Sequence, residues 1–348
     1  MSGRPHVLLA RQDSAGDVLL AGPAVRAVAA GARVTLLCGP RGRAAAELLP
    51  GVDAILCRHA PWIDPEPRPV TRAAMEALAD ELAALAVDQA VVLTSFHQSP
   101  LPLALLLRMA GVPTIAAASV DYPGALLDVR HRPGDGRHEV ERALELVATL
   151  GYRLPPGDDG RLAVRRPRAG RPNPAGARPY VVVHPGASVP ARACTPERSA
   201  ALVAALAAHG RRVVVTGGPR ERPLTARVAA GARGLAVDLG GRLDLAGLAE
   251  VLAGADAVVV GNTGPAHLAA AVGTPVVSLF SPVVPAARWR PWRVPQVLLG
   301  DQGAACAGTR ARTCPVPGHP CLDGIPVERV VAAVAALAPA PAGREVPA

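Results

Sequence analysis

The sequence of 348 residues contains no lysine; all 37 of its basic side chains are arginine. Aromatic residues make up only 2%, so the chain lacks a stacking platform for single-stranded nucleic acid. Long apolar runs are missing as well. Arg, Gly or Pro breaks each one before the ~18–20 residues that a membrane helix requires. The first apolar run stops at Arg11, too short for the hydrophobic core of a secretory signal. The first strand-to-helix turn is no G-x-G-x-x-G fingerprint, so nothing there argues for a dinucleotide. The six cysteines lack the paired C-x-x-C spacing of structural zinc.

What is present describes a folded protein. Half the residues are hydrophobic and 19% are charged, which excludes a disordered chain. The length exceeds what one hydrophobic core usually organises, so two domains are expected. The net charge of +9 is spread among acidic neighbours, apart from an arginine-rich cluster at 161–178. It forms no stripe or motif, so nucleic acid is not an expected partner. A phosphate-bearing substrate suits a mild basic excess equally well. These features predict a soluble, cytoplasmic protein whose contact with a membrane is at most peripheral.

Apolar runs of strand length alternate with helical periodicity, the pattern of βαβ units around parallel sheets. In the first half, strands are predicted at 6–10, 33–38, 54–57, 89–94 and 114–118, with helices at 18–30, 41–49, 72–85, 101–110 and 137–150. The stretch 155–178 is rich in Pro, Gly and Arg without apolar period, and reads as a linker. The pattern then restarts with strands at 180–184, 212–216, 235–238, 257–260 and 276–280. Their helices are predicted at 196–208, 222–230, 245–253 and 265–272, with a last one at 327–337 and a frayed tail from Pro339. The resulting division is 1–155, linker 156–178, and 179–348. Open α/β sheets bind ligands beyond the carboxyl ends of their strands, which directs attention to the loops there.

Four such loops carry candidate chemistry. Ser14-Ala15-Gly16-Asp17 follows the first strand and places Asp17 at a helix start, either as a functional carboxylate or as a plain N-cap. His184-Pro185-Gly186-Ala187-Ser188 opens the second half; a Gly/Ser turn exposes backbone N–H groups, and Arg192 behind it suits a phosphate clamp. Gly261-Asn262-Thr263-Gly264-Pro265-Ala266-His267 follows a buried strand and opens a helix with Pro near its first position. There the helix N-terminus favours an anion, Thr263 adds a hydroxyl, and His267 either reaches a ligand or packs. Gly217-Gly218-Pro219-Arg220-Glu221 ends another strand, where Glu221 either accepts from a ribose hydroxyl or caps its helix.

These motifs in this order, Gly-Asp-Val-Leu-Leu from Gly16, His-Pro-Gly-Ala-Ser from His184, Gly-Gly-Pro from Gly217 and Asn-Thr-Gly-Pro-Ala-His from Asn262, resemble glycosyltransferase family 9. The resemblance runs from Val7 to about Val330. It implies the GT-B fold: two Rossmann-like doubly wound α/β domains facing across a cleft, acceptor on the first and nucleotide-sugar donor on the second. It also implies an inverting, metal-independent transfer of a heptose-like sugar, with no cofactor beyond the donor substrate. Carried over by residue, Asp17 takes the place of the base, and Arg192, Ser188, Thr263 and Gly264 fall on the donor-phosphate site. Glu221, Asn262 and His267 are weaker donor contacts. The sequence departs from the family at Asn262, where the family has Asp, and at Cys194-Thr195, where it has Trp-Pro. The acceptor implied is a glycan, a lipid-linked or a small-molecule hydroxyl; ADP-heptose is the donor of the best-known members. A sugar-nucleotide epimerase and a non-catalytic sugar-nucleotide-binding protein share the architecture. Cys306, Cys314 and Cys321, with His319, are expected to pack or form a lid rather than bind metal.

Overall fold

The computed structural model describes residues 3–166 and 173–339, and the chain divides into two compact units, Met1–Arg165 and Arg166–Ala348. The expected tail beyond Pro339 and part of the arginine-rich cluster lie outside the described residues.

The first unit contains the strands β1 (His6–Ala10), β2 (Arg33–Cys38), β3 (Ala54–Cys57), β4 (Gln89–Val92), β5 (Thr114–Ala118) and β6 (Val129–His131). They form one sheet in the order β3-β2-β1-β4-β5-β6, with parallel pairing throughout. The second unit contains β7 (Val181–His184), β8 (Val213–Val215), β9 (Ala236–Asp238), β10 (Ala257–Gly261), β11 (Val276–Leu279) and β12 (Gln296–Leu299). Its order, β12-β11-β10-β7-β8-β9, is the same doubly wound topology, again parallel. In both sheets the order reverses beside the first strand, between β1 and β4 and between β7 and β10. Such a switch point leaves a crevice at the carboxyl edge, because the flanking helices cross to opposite faces.

Central strands are apolar because helices cover both faces of a parallel sheet. Val7, Leu8 and Leu9 of β1 and Val213 to Val215 of β8 are fully buried. Around the first sheet, Leu78, Leu82, Leu103 and Leu107 close the core from the helices Arg72–Ala84 and Leu101–Met109. Around the second, Leu202, Val203 and Leu206 of Pro196–Ala208 and Val330 and Val334 of Val327–Leu337 do the same.

Several boundaries differ from the sequence expectation. The helix expected at 18–30 is two, Ala15–Leu20 and Gly22–Ala29, because Pro23 cannot donate to the preceding turn and instead starts the second helix. The helix expected at 41–49 shortens to Arg43–Ala46 after a 3-10 turn at Pro40–Gly42. Strands β6 and β12 carried no strand signal; both lie at a sheet edge, and neither has the run of buried apolar residues that marks an inner strand. Residues 158–165 belong to the first unit. The Asp158 carboxylate accepts from Arg26 at 2.6 and 2.9 Å, and the Arg165 N–H donates to the Leu48 carbonyl at 2.6 Å.

Candidate functional site

At the switch point of the first sheet, β1 runs into the turn that starts the helix Ala15–Leu20. Ser14 is its N-cap and Asp17 its third residue. The Asp17 carboxylate Oδ2 accepts from the Ser14 hydroxyl at 2.7 Å and from the Ser14 N–H at 3.4 Å, a reciprocal capping box. Asp17 is therefore not the N-cap that its position suggested. Its Oδ1 lies 3.1 Å from Arg11 Nη2, and its side chain keeps 18% of its surface exposed. Arg11 also meets Asp13, Glu139 and Ser95, three groups that belong to none of the sequence motifs. The signal available was a pair of charged residues, Arg11 and Asp13, directly after a fully buried strand. Burial raises the Asp13 carboxyl above its ordinary range, although Arg11 opposes the shift.

At the switch point of the second sheet, the segments after β7, β8, β9 and β10 surround a cavity of about 250 Å³. Ser188, Thr216, Glu221, Asp244 and Thr263 give it a polar lining, while Leu243 and Leu248 add an apolar side. Two glycines make the loops fit. A Cβ at Gly186 would fall on the Glu221 carboxylate, and one at Gly261 would stand 2.5 Å from the Arg192 carbonyl oxygen. Glu221 Oε2 accepts from the Gly218 N–H at 2.7 Å and stands 3.8 Å from His184 Nε2. His184 Nδ1 is 3.0 Å from the Thr216 hydroxyl. Burial holds the His184 ring below its ordinary pKa, with Glu221 opposing it, so the ring is neutral at neutral pH. Thr263 is the N-cap of Gly264–Ala271, yet its side chain does not cap the helix. Its hydroxyl is thus not committed to the backbone at the end where the helix dipole favours an anion.

The structure brings together Ser188, Glu221 and Thr263 at this cavity, but not every residue assigned to it. Asn262 is 5% exposed and turned to the next strand loop: Ser281 N–H donates to its Oδ1 at 3.3 Å, and its Nδ2 donates to the Ser281 carbonyl at 3.5 Å. His267 is buried and does not line the cavity; Gly264 does not either. Arg192, half-buried in the turn Pro190–Arg192, lines a far smaller void with His184 and Cys194. Burial there pushes the Cys194 thiol up to about 12. Cys306 and Cys321 are buried free thiols, and the Cys314 thiol donates to the Val316 carbonyl at 3.3 Å. Among the described residues, no three His, Cys, Asp or Glu side chains are grouped to hold a metal ion.

Fold and cavity define a class: a protein of two Rossmann-like α/β units with a ligand crevice at the switch point of the second. The chain belongs to glycosyltransferase family 9 (heptosyltransferase), whose profile matches residues 75–319. Over 183 residues it is 37% identical to lipopolysaccharide heptosyltransferase 1 of Pseudomonas aeruginosa, a match covering 51% of this chain and 49% of that protein. The chain thus spans about half the length of that relative. Two solved structures share its architecture. The E. coli ADP-heptose lps heptosyltransferase II has a TM-score of 0.72 at 20% identity, over 95% of this chain and 98% of the other. The glycosyl transferase family 9 protein of Veillonella parvula has a TM-score of 0.76 at 17% identity, over 97% and 98%. The fold is GT-B, as the sequence motifs implied.

Proposed function

We propose that the chain transfers a heptose-like sugar from a nucleotide-diphosphate donor to a hydroxyl of a glycan acceptor, with inversion and without a metal or resident cofactor. Family membership supports the transferase class, and the names of its relatives support an ADP-heptose donor and a lipopolysaccharide-type acceptor. The observation that carries the mechanism is the Asp17 carboxylate, held at the carboxyl edge of the first sheet and open on one side. In this reading the acceptor oxygen bonds to the anomeric carbon as its proton passes to Asp17. The bond from that carbon to the donor phosphate oxygen breaks, and its electron pair leaves with the nucleoside diphosphate. The N-terminus of Gly264–Ala271, the Thr263 hydroxyl, Ser188 and Arg192 hold the developing charge. Glu221 takes the ribose hydroxyls. No helix among the described residues is long and apolar enough to cross a membrane, which fits action in the cytoplasm with contact limited to a membrane surface.

The test is Asp17→Asn, which preserves size and capping ability. The variant should fold and bind the nucleotide as wild type does, while kcat falls by ~10²–10⁴. Transfer at near wild-type rate by a folded Asp17→Asn protein refutes this assignment of the base.

A further inference from the structure

Arg11 directly follows β1 and is buried, its side chain 5% exposed. Its guanidinium serves three carboxylates and one hydroxyl. Nε lies 3.2 Å from Asp13 Oδ1, Nη2 3.1 Å from Asp17 Oδ1, and Nη1 3.5 Å from Glu139 Oε2. Nη2 also donates to the Ser95 hydroxyl at 2.9 Å, and that hydroxyl donates to Asp13 Oδ2 at 2.9 Å. Arg142 Nε stands 3.4 Å from the other Glu139 oxygen. Four elements converge here: the loop after β1, the helix Ala15–Leu20, the loop after β4, and the helix Glu139–Ala148.

The members of this cluster differ in one respect. Asp13 and Glu139 are buried, with side-chain exposures of 8% and 2%, whereas Asp17 retains 18%. A buried ionic cluster is a poor device for stability alone, since apolar packing of the same volume usually does as well or better. Its geometry serves Asp17 instead. Arg11 holds Oδ1, Ser14 holds Oδ2, and Asp13, Ser95 and Glu139 hold Arg11. The desolvated guanidinium keeps its proton firmly under these three carboxylates, so its charge is fixed at every working pH.

We propose that Arg11 is a positioning residue for transfer: braced by Asp13, Ser95 and Glu139, it fixes the orientation of the Asp17 carboxylate and keeps it ionised to receive the acceptor proton. This rests on Asp17 acting as the base. Removing the cation beside a carboxylate favours its protonated form, so the acid limb of kcat against pH must move to higher pH. A role in stability alone would leave that limb in place.

The experiment compares wild type, Asp17→Asn, Arg11→Lys and the double variant Arg11→Gln, Glu139→Gln, which removes one positive and one negative charge together. Each is measured for thermal unfolding, ADP affinity, and kcat against pH. The double variant should unfold cooperatively and bind ADP within ~2-fold of wild type. Its kcat should fall ~10–100-fold and its acid limb should rise by ~1–3 pH units. Arg11→Lys, which keeps the charge but not the planar fork, should lose rate with a smaller movement of the limb. A folded double variant whose acid limb stays in place makes Arg11 a structural residue only, whatever its rate. If the double variant does not fold, wild-type kcat and an unmoved limb in Arg11→Lys overturn the proposal equally. Rapid transfer by Asp17→Asn overturns the base and Arg11 together, which separates failure of the functional reading from failure of this one.

Discussion

The Glu221 carboxylate occupies the space that a side chain at position 186 would need. Gly186 belongs to the turn after β7 and Glu221 to the turn after β8, so two loops of the second sheet fit only while one lacks a Cβ. The obstructing atoms are the far end of a side chain, not backbone, and can swing away. Gly186→Ala should therefore fold, losing about 0.5–1.5 kcal/mol with the Glu221 to Gly218 hydrogen bond. It should also displace the carboxylate proposed to hold the ribose. Calorimetry with ADP should show Gly186→Ala and Glu221→Ala weakened alike, and their combination no worse than either. Additive losses would mean that the glycine acts on the ligand by some other route.

Gly261→Ala is expected to behave differently. Its Cβ would stand 2.5 Å from the Arg192 carbonyl oxygen, which is backbone in the turn Pro190–Arg192. Backbone must move or strain must be absorbed, at ~1–3 kcal/mol. Chemical denaturation should find Gly261→Ala clearly less stable than Gly186→Ala. Equal stabilities would show that the Arg192 turn yields easily.

Arg192→Ala tests the assignment of the donor phosphates. Loss of one charge-assisted contact is worth ~1.5–3 kcal/mol, or roughly ten- to more than a hundredfold in affinity. ADP and the nucleotide sugar should weaken together, whereas the free nucleoside should bind nearly as before. Unchanged ADP affinity returns Arg192 to a packing role beside Cys194.

The depressed pKa of His184 predicts a loss of stability on acidification. Above pH ~6.5 the ring is neutral in both folded and unfolded chains. Below it the unfolded chain binds a proton that the buried ring resists, so stability falls as pH drops toward the folded pKa. The raised carboxyl of Asp13 works in the opposite sense and is common to wild type and variant. Between pH 7.5 and 5.5, unfolding free energy should therefore fall more for wild type than for His184→Gln. Parallel losses would mean that the ring is protonated without penalty.

Chelation provides the remaining prediction. If Arg192 and the helix at Gly264 hold the leaving diphosphate, transfer should proceed at an unchanged rate after dialysis against EDTA. A loss of rate restored by one divalent cation would place a metal in the reaction and remove the charge-holding role from these groups.

Much of the fold was legible in the residues. The apolar runs of β1, β2, β7, β8 and β10 marked inner parallel strands, since a strand covered on both faces has no need of polar alternation. The Gly and Pro punctuation placed the loops that carry Asp17, Ser188, Glu221 and Thr263. The edge strands β6 and β12 escaped notice because partial cover demands less hydrophobicity. The break at Ala21 depended on Pro23, a local signal that the apolar period overrode.

The sequence by itself determined two parallel sheets, their inner strands and the loops able to meet a ligand, because burial on both faces writes itself into consecutive residues. Tertiary structure alone decided which side chains meet. Arg11 finds Glu139 across 128 positions, Gly186 makes room for Glu221, and Asn262 turns from the cavity to Ser281. Such pairings depend on strand order and on where the chain reverses at each switch point. No run of neighbouring residues encodes that, because the contacts form only once both sheets are wound.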